Sequence, residues 1–334
     1  MNHGAAEAPS ALSVEGPGQL VVGVDVGGTK ALVVAVNAAG EVVGEHRGRS
    51  PTGADALLVA VVEGVSELSG RVGSRPTAVG VGVPGLVDRE GVLRYAPNLS
   101  GVDGLPVRAE LEARLGVPVR TENDATCAAW GEHQSGAARG FDDVVLVTLG
   151  TGIGAGLVLD GRVYPGAHGF AGEVGHMVID PHGPPCRCGQ RGCWERFASG
   201  SGLGRLARDA AHAGRARRIV ELAGGDPEDV RGEHVTAAAA EGDEAARELL
   251  ERFAWWLGLG LANLANIFDP QAFVVGGGLV EAGQLLLDPA RAAFDGLVEA
   301  AAHRPPVVIL PAALGARAGA LGAAWLARDP DNSS

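Results

Sequence analysis

Apolar residues first gather at Leu20–Val26 (LVVGVDV), a run of strand length that stops at Gly27-Gly28. ALVVAV (31–36), a turn at Asn37-Ala38-Ala39-Gly40 and EVVGEHR (41–47) follow, the grammar of an antiparallel meander. A helical stretch is predicted over Ala54–Leu68, then strands at 77–83, ending in Pro84-Gly85, and at 118–122. The same order then returns. VVLVTL (144–149) leads into Gly150-Thr151-Gly152, GAGLVL (154–159), an Asp160-Gly161 turn and RVYPG. Helical segments and strands at 272–278 and 305–312 complete the second copy, while Ala210–Glu241 is polar and poorly periodic, a mixture of helices and loops.

A repeat on this scale predicts two lobes of one design, and strands with helices between them put each lobe in the α/β class. Each copy would point a glycine loop into the cleft between them. The expected division is a flexible tail over 1–19, a smaller lobe over 20–124 and a larger lobe over 125–316. Helices over 243–268 and 314–328 should pack the second lobe and then return, through about 317–328, to the first.

The chain has 334 residues, enough for two cores. With 46% hydrophobic and 20% charged residues, its balance is that of a soluble globular protein. The formal charge of −13 argues against a nucleic-acid binder, because phosphate contacts need a basic surface. It leaves a nucleotide open, since Mg²⁺ and backbone N–H groups hold phosphates without one. No apolar stretch is long enough to cross a membrane, and residues 1–19 lack the basic start and apolar core of a secretion signal, so a cytoplasmic protein is expected. The four cysteines then read as thiols or metal ligands rather than a disulfide framework.

Four motifs carry candidate chemistry. Asp25-Val26-Gly27-Gly28-Thr29-Lys30 joins two strands; its glycines let backbone N–H groups face phosphate oxygens, Thr29 can donate to one, and Asp25 can hold Mg²⁺. A plain hairpin turn competes. Leu149–Gly156 (LGTGIGAG) has the spacing of a dinucleotide fingerprint, but that fingerprint needs a helix next and here a strand follows. A second phosphate loop, Gly150-Thr151-Gly152, facing the first, fits the repeat better. Gly276-Gly277-Gly278 ends another strand, where bare backbone can pass beside a base or ribose or simply make a turn.

In Glu122-Asn123-Asp124-Ala125 a carboxylate can take a proton from a bound hydroxyl while the amide orients it, although Asn123 or Asp124 also suits a helix cap. The last motif is the most specific: GEVGH (172–176) followed by CRCGQRGCWE (186–195). His176, Cys186, Cys188 and Cys193 form a Cys₃His set for tetrahedral Zn²⁺. Cys127, apart from them, reads as a buried apolar residue.

In this order DVGGTK, the NDA after a strand, LGTGIG, GEVGH and CRCGQRGCWE resemble the ROK family of repressors, open-reading-frame products and sugar kinases, from about Leu20 to Arg328. The resemblance implies two actin-like (ribonuclease H-like) lobes, MgATP and a hexose in the cleft, a structural zinc, and a homodimer or homotetramer. It assigns Asp124 as the base that takes the proton of the sugar 6-hydroxyl. Asn98, Asn123, Glu173, His176 and Glu195 become sugar ligands beside it. Asp25, Gly27, Gly28 and Thr29 with Gly150, Thr151 and Gly152 become the phosphate loops, and Lys30 and Gly276–Gly278 complete the nucleotide set. The nearest likeness is to glucokinases, with kinases of N-acetylmannosamine or N-acetylglucosamine, a polyphosphate-using enzyme and a sugar-sensing repressor as rivals. One stretch departs from the pattern: Ser100-Gly101-Val102-Asp103-Gly104 follows Asn98-Leu99 where many glucokinases carry a tryptophan.

Overall fold

The computed structural model describes residues 20–27, 30–50, 53–97, 99 and 101–329. The expected tail, Gly28, Thr29 and Asn98 lie outside that set. The first half begins with β1 (Leu20–Val26), β2 (Lys30–Val36) and β3 (Val42–Arg49), then α1 (Ala54–Val72) and β4 (Pro76–Val83). A small hairpin of β5 (Leu86–Val87) and β6 (Leu93–Tyr95) leads to α2 (Val107–Leu115), β7 (Val119–Asn123) and α3 (Asp124–Ser135). The second half opens with β8 (Val144–Leu149), β9 (Ile153–Leu159) and β10 (Arg162–Val163). Five helices follow: α4 (Glu195–Ala198), α5 (Gly200–His212), α6 (Arg217–Leu222), α7 (Gly232–Ala240) and α8 (Glu244–Phe268). The chain closes with β11 (Ala272–Gly276), α9 (Gln284–Leu297), β12 (Val308–Pro311) and α10 (Ala318–Arg328).

The repeat is visible in the sheets, which run β3-β2-β1-β4-β7 and β10-β9-β8-β11-β12. In both, an antiparallel meander is extended by two parallel strands. That is the ribonuclease H-like order of an actin-like lobe, twice. The predicted strand at 305–312 shortens to Val308–Pro311 because Pro305 and Pro306 have no N–H for the ladder. The weakly periodic stretch 210–241 holds the end of α5, then α6, a short turn and α7.

Period-two alternation decides which face of each strand meets which helix. On β1, Val22 and Val24 join a core with α1 and α2, while Val21 faces α10. On β8, Val145, Val147 and Leu149 pack under the helices of the second half, whereas Val144 and Leu146 pack with α3 and α10. So α3 and α10 lie together between the two sheets. Glycine makes that fit: Gly23 and Gly80 are register partners, and a Cβ on either would collide with the backbone of α10. Gly322 stands likewise against the backbone of Cys127 on α3, where any side chain would push the helices apart.

Candidate functional site

β7 ends at Asn123 and α3 begins at Asp124, so the Asn-Asp pair sits on that junction. Asn123 caps the helix: its Oδ1 accepts from the N–H groups of Ala125 (2.8 Å) and Thr126 (3.1 Å), and its Nδ2 donates to Gly85 O (3.1 Å). Asp124, the first helical residue, accepts from Ala125 N at 2.9 Å. Burial lifts the Asp124 carboxyl to about 6, with the Ala125 N–H opposing and the charge of Glu173 adding to the rise. Asp25, near the end of β1, is pushed up to about 7 by burial and then by the charge of Asp124. Burial also raises Glu173, where His176 works against the rise and Glu195 with it. Carboxylates from both halves of the chain therefore meet in one place.

The Cys₃His set comes together as well. One ligand atom from each of His176, Cys186, Cys188 and Cys193 lies within 4.8 Å of the others. Cys188 Sγ is 3.5 Å from Cys193 Sγ, and Cys186 Sγ is 3.7 Å from His176 Nδ1. Bonds of about 2.3 Å to sulfur place the corners of a tetrahedron about 3.8 Å apart, so the residues present fit Zn²⁺ with His176 bound through Nδ1. The other ring nitrogen, Nε2, is turned to Glu173 Oε2 at 3.7 Å. Glu195 lies against the same ligands, with Oε1 3.2 Å from Cys186 Sγ and 4.0 Å from His176 Nδ1. A Cβ on Gly152 would come within 2.6 Å of Glu195 Oε2, so the second glycine loop runs directly past that carboxylate.

Next to this lies a cleft of about 890 Å³, bounded by Gly150, Thr151, Ser201, Arg208, Glu233 and Gly278 among others. Gly200 N donates to Gly150 O at 2.8 Å, tying α5 to the loop. Of the glycine triplet, Gly278 faces the cleft and Gly276 ends β11. Gly277 turns the chain at φ 85° against the backbone of Leu149. Asp25, Gly27 and Lys30 stand apart from this cleft, at the junction of β1 and β2, where Gly27 N donates to Lys30 O at 3.0 Å. Ser201, Arg208, Arg231, Glu233 and Thr236 were not legible as cleft residues, because they lie on α5, on α7 and at the residue that opens α7, where no motif marks them.

The model of the ROK family matches residues 21–330. A glucokinase of Streptomyces coelicolor is 41% identical over 93% of this chain and 98% of its own length. The crystal structure of a ROK family glucokinase from Streptomyces griseus, in complex with glucose and AMPPNP, superposes with a TM-score of 0.83. It is 40% identical and covers 92% of this chain and 99% of that one. A ROK hexokinase from Thermus thermophilus superposes at 0.76 with 36% identity, over 93% of this chain and 98% of that one.

Proposed function

The chain belongs to the ROK family, and from that premise we propose that it is a kinase that transfers the γ-phosphoryl group of MgATP to the 6-hydroxyl of glucose. The observation that carries the reading is Asp124, a half-buried carboxylate at the junction of β7 and α3 whose carboxyl desolvation raises to about 6. Such a group is ionised at neutral pH yet basic enough to accept a proton from an attacking hydroxyl. The whole-length likeness to glucokinases supports glucose as the sugar.

In this reading Asn98, Asn123, Glu173, His176 and Glu195 hold the sugar hydroxyls. Asp25, Gly27, Gly28, Thr29 and Lys30 with Gly150, Thr151 and Gly152 receive the phosphates and the Mg²⁺ that travels with ATP. The 890 Å³ cleft takes the base and ribose beside Gly276–Gly278. The oxygen of the 6-hydroxyl attacks the γ-phosphorus as its proton passes to Asp124, and the bond to the departing ADP oxygen breaks. Positioning and charge stabilisation supply most of the acceleration, and closing the lobes keeps water from competing as acceptor. His176, Cys186, Cys188 and Cys193 would hold Zn²⁺, which supplies structure alone because four protein ligands leave it no open site.

A coupled assay across glucose, mannose, fructose, N-acetylmannosamine and N-acetylglucosamine, with MgATP and with polyphosphate, tests the proposal. Glucose with MgATP should give the highest kcat/KM. An N-acetylhexosamine about tenfold better would move the substrate, since that factor is 1.4 kcal/mol of transition-state binding. Polyphosphate as the better donor would move the nucleotide.

A further inference from the structure

We propose that Glu132 is a positioning residue for the phosphate-binding part of the site: it caps α10 from α3 and so fixes the wall against which Asp25 stands. The inference rests on Asp25 belonging to the site that receives Mg²⁺ and phosphate. Glu132 is fully buried in the last turn of α3 and has no ion pair among the described residues. Three backbone N–H groups surround its carboxylate instead. Oε2 accepts from Ala137 (2.7 Å) and Ala313 (3.0 Å), and Oε1 accepts from Leu314 (2.8 Å).

A carboxylate at the C-terminal end of a helix sits at the wrong end of that helix's dipole, so α3 gains nothing from it. The gain lies across the joint. Ala313 and Leu314 open the turn Gly315–Arg317 that runs into α10, and neither that turn nor α10 has a side-chain cap of its own. Glu132 satisfies those orphan donors from another element and places negative charge at the favourable end of α10.

The start of α10 is also what Asp25 touches. A Cβ on Gly319, the second residue of α10, would stand 2.7 Å from the carboxyl carbon of Asp25. Glu132 therefore sets how closely α10 approaches Asp25, while Asp124 begins the helix that Glu132 ends. One buried carboxylate ties the phosphate side to the helix of the base.

Two variants separate position from charge. Glu132→Gln keeps the shape, but an amide has one acceptor oxygen for three donors and turns its own NH₂ on the rest. Gly136→Ala keeps the charge, but its Cβ would collide with Oε2 and force the carboxylate aside. Both are titrated by calorimetry with Mg²⁺ and a non-hydrolysable ATP analogue, then separately with glucose, and melted. Nucleotide affinity should fall about tenfold, the equivalent of one buried hydrogen bond, while glucose affinity stays within about twofold. Nucleotide affinity unchanged beside a lower Tm, or both ligands weakened alike, would reduce Glu132 to scaffold and overturn the proposal. If Glu132→Gln does not fold, Gly136→Ala decides by the same criteria. Wild-type protein that binds no nucleotide would remove the reading beneath this one, an outcome distinct from wild-type binding with unaffected variants.

Discussion

At the scale of single residues the site is a set of carboxylates held against their preference for water. Asp124 and Asp25 are pushed up to about 6 and about 7, in each case chiefly by burial. A base works only when ionised, so kcat/KM for the sugar should rise with pH through about 6 and then level off, a profile read from initial rates. The same numbers predict a stability trend of opposite sign. Between the ordinary carboxyl value of 3.8 and the raised one, the folded protein binds more protons than the unfolded chain. Stability is then fully present below that ordinary value and is lost as pH rises through about 6. Asp124→Asn removes the penalty. The variant should be the more stable of the two at pH 8, by about 3 kcal/mol and so with the higher Tm, and the gap should narrow as pH falls through about 6 and close below about 4. Equal Tm values at pH 8 would mean that Asp124 is not held in its ionised form at a cost.

Among the elements, the loop from Gly172 to Glu195 carries both the Cys₃His set and the side chains proposed to hold the sugar. Nδ1 of His176 faces Cys186 and Nε2 faces Glu173, so metal ligation would fix the imidazole tautomer that the sugar side meets. Cys188→Ser should abolish near-stoichiometric zinc and weaken glucose binding by about tenfold or more, while nucleotide affinity changes little. Zinc content by mass spectrometry and two titrations check it. Normal glucose affinity in a zinc-free variant would separate the metal from the sugar.

These elements were readable because their signals are local. Val144–Leu149 and Ala272–Gly276 are dense apolar runs, and the Cys₃His spacing names its own chemistry. Asn123 shows that a helix cap does not exclude a second role, since the cap it forms on α3 leaves it next to Asp124, the proposed base. The cleft wall from Ser201 to Thr236 and the buried Glu132 left no trace, because each acts through partners far away in sequence. Glu132 and Leu314 are joined only by folding.

For the whole molecule, two sheets of one topology face each other across α3 and α10, and the proposed base stands at the start of α3. Part of the unusual glycine content, 53 residues, is spent there, since Gly23, Gly80 and Gly322 let helices lie directly on backbone. The most direct measurement is the turnover of Asp124→Asn at saturating glucose and MgATP, with glucose affinity measured alongside. The account predicts that glucose still binds while kcat falls by roughly 10²–10⁴-fold, the usual loss of a general base. A variant that keeps a tenth of the wild-type kcat would contradict it.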